Sequence, residues 1–347
     1  MNIYKERDGV TYMDMKKWVQ EVIDSPVKKA VPVLSFPCVQ LLGIGVKDLI
    51  MSSDLQAKGM KMIADRLNTS ASVSMMDLSV EAEAFGSEVR FSDDEVPTVI
   101  GSIINDEEDA EQLQIPEIGA GRTGLYIEAI EKACKLITDR PVLAGVIGPF
   151  TLAGRLMDVS EIMYFCFDEP DMVHTVLNKV TDYLIDYMKA YKAVGAHGVV
   201  VAEPLAGLLT PALNEEFSAG YMKKIVDEIQ DDDFIVVYHN CGDAAVHMID
   251  DIAYTGAAAY HFGNTIDMVK MLEGLPTDAL VMGNIDPAGQ FCNGTTESIK
   301  KDTMKLLEAC HMYPNFVISS GCDIPPMSNW DNIDAFFETV DAFYANK

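Results

Sequence analysis

The sequence predicts an α/β protein, a (β/α)8 or TIM barrel with a small antiparallel insertion after its second strand. Three observations lead there. Eight short apolar runs alternate with amphipathic stretches along the 347 residues. The runs are rich in Val, Ile and Ala without polar alternation, as parallel strands covered on both faces require. Several runs end in His, Cys, Asp or Glu, and barrel enzymes carry their chemistry at the C-terminal ends of strands.

Residues from about 1 to 30 read as an N-terminal helical extension of a single domain spanning 1–347. The first strand is "VPVLSF" (31–36). Next comes the helical period of "DLQAKGMKMIADRLN", then a second strand at "ASVSMMDLS" (71–79). The stretch from about 80 to 120 breaks the alternation, and "EVRFSDDEVPTVIGSII" reads as an antiparallel excursion. "GLYIEAIEKACKLI" is helical and precedes a strand at "VLAGVIG" (142–148). In the long helix "PDMVHTVLNKVTDYLIDYMKAYKAVG", Pro170 and Asp171 suit the first turn and Gly195 the stop. Four more strands follow at 198–204, 234–241, 257–263 and 279–286, with "NEEFSAGYMKKIVDEIQ" as a helix among them. "TESIKKDTMKLLEAC" leads to the eighth strand, "FVISSGC" (316–322), and a last helix runs near 329–345. An open doubly wound sheet is the alternative, but no G-x-G-x-x-G follows a strand.

Composition narrows the function. There are 54 acidic against 26 basic residues, for a formal net charge of -28. Such a field repels nucleic acid and anionic membrane, so neither is an expected partner. The apolar runs are far shorter than the ~20 residues a bilayer needs. The opening "MNIYKERDGV" has no apolar core and does not resemble a signal peptide. Seven scattered cysteines do not suggest a disulfide framework. The expected location is the cytoplasm, where thiols stay free. The 20 methionines read as core filler.

The strand ends supply the candidate chemistry. They are Asp77 and Glu81, Glu203, His239 with Cys241, His261 with Asn264, Asp286, and Cys322 with Asp323. Residues i and i+2 of an extended chain point to one side, so His239 and Cys241 can reach the same point. Gly242 then allows a tight exit turn. An imidazole and two thiolates suit zinc, with a fourth position left open for chemistry. The competing reading is that these are buried core residues, because free Cys is among the most buried residue types. Asp286 also reads as a cap, Asp77 and Glu81 as mouth acids, and Gln40 as a possible contact to the polar end of a substrate. His174, His197, His247 and His311 read as structural or exposed. Cys38, Cys134, Cys166, Cys292 and Cys310 read as packing residues.

"YHNCGD", "MGNIDP" and "SSGCDIPPMSNWDNI" resemble, in order and spacing, segments of the zinc methyltransferase branch of the uroporphyrinogen decarboxylase superfamily. "SVEAEAFGSEV", "GPFTLAGRL" and "AEPLAGLLTP" are similar as well. Enzymes of that branch demethylate methylated corrinoid proteins and pass the methyl group to a thiol such as coenzyme M. The resemblance implies zinc held by His239, Cys241 and Cys322, with His261 as a further candidate ligand. It also implies an acid, Glu203, that orients a ligand or the substrate. The methyl donor would be methylcobalamin presented by a corrinoid-binding partner protein. Two thiolates already cancel the charge of Zn²⁺, so a third, from the acceptor, would remain electron-rich enough to attack a methyl carbon.

The chain departs from the superfamily in two places. The decarboxylases carry an arginine-rich loop after the first strand, but here "SFPCVQLLGIG" has no Arg or Lys before Lys47. That disfavours a lyase acting on a substrate with eight carboxylates. In the methyltransferases a glutamate after the sixth strand can fill the open zinc position, and here that slot falls near Gly263. Transfer in the reverse direction, from a methylated substrate to a cobalt(I) corrinoid protein, is a rival reading. A catalytically silent corrinoid-handling protein is another.

Overall fold

The computed structural model describes residues 3–7 and 10–345. Its strands, in chain order, are β1 (Tyr4–Arg7), β2 (Val10–Met13), β3 (Ser72–Val73), β4 (Glu88–Arg90), β5 (Thr98–Ile100), β6 (Val142–Ile147), β7 (Gly198–Ala202), β8 (Ile235–Asn240), β9 (Ala259–Phe262), β10 (Leu280–Ile285) and β11 (Phe316–Ser320). Seven of them make one parallel sheet in the order β11-β10-β9-β8-β7-β6-β3. Each neighbour is also the next sheet strand in sequence, the order that helical crossovers of one hand produce. The crossovers include Thr123–Leu136, Pro170–Ala193, Gly220–Ile229, Met268–Gly274 and Thr296–Cys310. All seven C-terminal ends therefore open on one side. β4 and β5 pair antiparallel within the stretch that interrupts the alternation.

The sheet is curled and buried on both faces, which is why its strands are apolar throughout. On the outer face Val199, Val201, Val236, Tyr238, Tyr260, Phe262, Val281 and Ile318 pack under the helices. On the inner face Val200, Ala202, Ile235, Val237, Ala259, Leu280, Met282 and Val317 form a second core with Met15 and Trp18. The period-2 alternation of a strand carries that inner face upward to His239, His261, Asn284 and Ser319. A polar layer thus stands on an apolar one.

Three elements differ from the sequence expectation. The extension over about 1–30 is helical only at Met15–Asp24, and the β1–β2 hairpin precedes it. The strand expected at 71–79 is reduced to the two residues of β3. The segment 31–36 is extended but not a ladder strand, because Pro32 has no N–H to donate. It bonds instead to what flanks it. Val31 N donates to Ile318 O (3.1 Å), Val33 N to Ser320 Oγ (3.0 Å), and Ser70 N, just before β3, donates to Ala30 O (3.1 Å). Among the described residues, no helix is long and apolar enough to cross a membrane.

Candidate metal centre

His239 ends β8 on the inner face, and Cys241 follows two residues later. Cys322 lies just past β11. The structure brings the three together, with one ligand atom from each all within 4.8 Å of one another. His239 Nε2 is 3.5 Å from Cys322 Sγ. Donors around a tetrahedral zinc stand about 3.5–3.7 Å apart, given Zn–S near 2.3 Å and Zn–N near 2.0 Å. The donor set therefore fits that ion in kind and nearly in spacing. The neighbouring Cys322 thiol lowers the pKa of Cys241, while Cys241 beside it, together with burial, raises that of Cys322 to about 12.

The imidazole of His239 is oriented from behind. β8 and β9 pair in register with His239 opposite His261, and the His239 ring is 3 % exposed. His239 Nδ1 lies 3.3 Å from His261 O and 2.7 Å from His261 Nδ1. A carbonyl only accepts, so His239 Nδ1 carries its proton. His261 Nδ1 must then accept, which puts the His261 proton on Nε2. That nitrogen is 2.7 Å from Ser319 Oγ, and Ser319 spends its own proton on Val31 O at 2.7 Å. The chain of donors leaves His239 Nε2 as a bare lone pair aimed at the cysteines. His261 has both ring nitrogens engaged, which makes it a support for His239 rather than part of the ligand cluster. Burial holds its pKa well below the ordinary value, consistent with a neutral ring. A serine 58 residues further along the chain completes the relay. Sequence reasoning missed Ser319 because nothing local to it signals the contact.

Gly263 explains why no glutamate stands at that slot. It lies beside Cys241, and a Cβ there would sit 2.6 Å from Cys241 Cα and 2.7 Å from its Cβ. No side chain fits. Asn284 Nδ2 secures this turn by donating to Gly263 O (2.8 Å) and Ile266 O (2.7 Å). Gly242 has an ordinary φ of -81°, so its smallness serves not the turn but a close crossing, in which its Cβ would lie 2.5 Å from Gly207 Cα.

The other candidates are placed as follows. Glu203 is fully buried, and its oxygens accept from Phe150 N (2.8 Å), Thr151 N (3.1 Å) and Thr151 Oγ1 (2.8 Å). It thus caps the helix Pro149–Met157, and burial raises its pKa to about 7. Asp77 is bonded to Arg122, Tyr126 Oη and Ser79. Glu81 accepts from Ile147 N (3.1 Å), with burial raising its pKa to about 8. Asp286 caps the following turn through Gly289 N (2.8 Å). Gln40 Nε2 donates to Pro326 O and Ser328 O, both at 2.8 Å. Asn264 is exposed. Cys38 is fully buried against the helix Ser53–Arg66.

A cavity of about 120 Å³ opens beside these three side chains, lined by His239, Cys241, Cys322, Asp323, Val33, Met76, Leu78, Ala202 and Pro204. Asp323 Oδ1 is buried without a hydrogen-bond partner, and burial holds its carboxyl well above the usual range. Two larger clefts lie at the opposite ends of the strands, near Thr69–Ser70 and Ala257–Ala258. Neither contains His or Cys.

The family profile described as Uroporphyrinogen decarboxylase (URO-D) matches residues 25–343. The chain belongs to the uroporphyrinogen decarboxylase family. It is 28% identical over 272 residues to a methylcobamide:CoM methyltransferase of Methanosarcina acetivorans, covering 76% of each chain. The corresponding protein of Methanosarcina mazei is 29% identical over the same length and coverage. A uroporphyrinogen decarboxylase of Hydrogenovibrio crunogenus is 25% identical over 305 residues, covering 84% of each. In three dimensions a methyltransferase from Methanosarcina mazei superposes with a TM-score of 0.84 at 24% identity, covering 95% of this chain and 99% of the other. Within the family, then, the chain is an enzyme of the methyltransferase kind.

Proposed function

We propose that this enzyme transfers a methyl group between a corrinoid protein and a small thiol, using zinc held by His239, Cys241 and Cys322. The observation that carries the reading is the convergence of those three side chains on one point at the mouth of the sheet. The family relatives named for methylcobamide chemistry support it. So does the barrel geometry, in which we take 31–36 as the eighth wall closing β3 against β11.

Zinc bound there would lower the pKa of an acceptor thiol and hold it as thiolate at neutral pH. The protein's own residues set the conditions. His239 presents a lone pair because the His261–Ser319 relay fixes its tautomer. Cys241 and Cys322 supply the two charges that balance a divalent ion. Val33, Met76, Leu78 and Pro204 keep water away from the nucleophile. Gly263 keeps position 263 from supplying a fourth protein ligand. Leu208 and Met327, exposed on the loops leaving β7 and β11, offer apolar contact to an approaching corrinoid domain. In the overall transfer a sulfur–methyl bond forms, the cobalt–methyl bond breaks, and cobalt leaves as Co(I) with the bonding pair.

Incubation of the zinc-loaded protein with methylcobalamin and a thiol tests this. The expected result is thiol-dependent loss of methylcobalamin absorbance that stops when the metal is chelated and returns with zinc. Turnover only from methylated donors onto cobalt(I) cobalamin would reverse the assigned direction. Turnover that survives complete metal removal would refute the zinc reading.

A further inference from the structure

We infer that the pocket beside His239, Cys241 and Cys322 is built for an uncharged, mainly apolar thiol and disfavours thiols with an anionic tail. The inference rests on the thiol-transfer reading above and specifies its substrate class. Around the donor atoms the lining is Val33, Met76, Leu78, Ala202 and Pro204, with Asp323 as its charged residue and no Lys or Arg. A sulfonate or carboxylate tail in this cavity would meet apolar carbon and a carboxyl group. Whether ionised or protonated, Asp323 brings no positive charge. Its unpartnered Oδ1 can still meet a hydroxyl on a neutral substrate.

Arg122, the cation bonded to Asp77, does not line the cavity and does not relieve the deficit. Arg122 gives Nε to Glu83, Nη1 to Asp77 and Nη2 to Ser79, so each of its three nitrogens is already engaged and its charge is paired with Asp77 and Glu83. Among the described residues, the buried acids Glu81, Glu203 and Asp323 have no cation within salt-bridge distance, and Arg122 pairs with Asp77 and Glu83 instead. The mouth is thus acidic and short of cations. An anion taken into it loses its hydration without gaining a partner, which is costly in an apolar surrounding. A neutral thiol has no such loss, and burying its carbon chain is favourable.

The test uses full-length protein loaded with cobalt(II), whose thiolate charge-transfer band reports coordination of an added thiol. Two thiols of matched length are titrated, 2-mercaptoethanol and 2-mercaptoethanesulfonate (coenzyme M). The neutral thiol is expected to bind at least about tenfold more tightly. Leu78→Lys, which puts a cation in a partly exposed lining position, is expected to reduce that preference to about threefold or less. Equal or tighter binding of the sulfonate by the wild type would overturn the inference and leave the thiol reading intact. A preference unchanged in Leu78→Lys protein that still binds cobalt would also overturn it. If neither thiol perturbs the band, the thiol reading falls and this inference with it.

Discussion

Replacing Gly263 with alanine places one methyl group against the backbone of a proposed ligand. The added Cβ would lie 2.6 Å from Cys241 Cα, 2.7 Å from Cys241 Cβ and 2.9 Å from Cys241 O. Carbon atoms rest at about 3.5–4.0 Å, so the two segments must separate by about 1 Å. Neither is free to yield. Gly263 N donates to Asn240 O (3.1 Å), and Gly263 O is held by Asn284. Overpacking of this kind costs about 1–3 kcal/mol of stability. A metal site tolerates ligand errors of only about 0.2 Å, so a shift of Cys241 of this size should weaken zinc at least about tenfold. Competition against a chromogenic chelator gives the zinc affinity, and thermal denaturation of the metal-free protein gives the stability cost. A variant that keeps zinc affinity within about threefold and melts like the metal-free wild type would refute the close approach and the role of Cys241 together.

Ser319→Ala removes the acceptor for the His261 Nε2 proton. Zinc affinity is expected to fall about 10–100-fold, as for other partners behind metal-binding histidines. ¹⁵N-edited NMR of the imidazoles should show the Nδ1–H tautomer of His239 and the Nε2–H tautomer of His261 in the wild type, and loss of that order in the variant. Glu203 has its pKa raised from 4.5 to about 7 by burial, so the folded state holds this proton more tightly than the unfolded one. Its contribution is therefore full below about pH 4.5 and is lost as pH rises through 7, amounting to at most about 3 kcal/mol. Glu203→Gln should flatten the decline in melting temperature between pH 5 and 8, and an unchanged slope would assign the decline elsewhere, for instance to Glu81. Chelation of the metal from wild-type protein should lower its melting temperature in proportion to zinc occupancy, whereas Cys241→Ala should show no such response.

Much of this was legible in the sequence because it depends on short-range pattern. The apolar runs gave the sheet strands β6 to β11 to within a residue or two, and the i, i+2 spacing put His239 and Cys241 on one face. Cys322 was found because it ends another run beside glycine. What stayed hidden depends on atoms brought together from far apart. "VPVLSF" has a strand's composition, yet Pro32 lacks a donor and Ser319 and Ser320 take over the bonding from the far end of the chain. Glu203 stands where a catalytic acid would stand, but the helix Pro149–Met157 starts beside it and claims its oxygens. His261 resembles a ligand until the register with His239 shows both of its nitrogens occupied. Gly263 looked like a missing residue, and only the distance to Cys241 shows why nothing larger fits.

The metal content of purified protein tests the central claim most directly. Elemental analysis should find about one zinc per chain in the wild type and little in Cys241→Ala and Cys322→Ala, with all three proteins folded by circular dichroism. A wild type without stoichiometric zinc, or cysteine variants that retain it, would contradict the account.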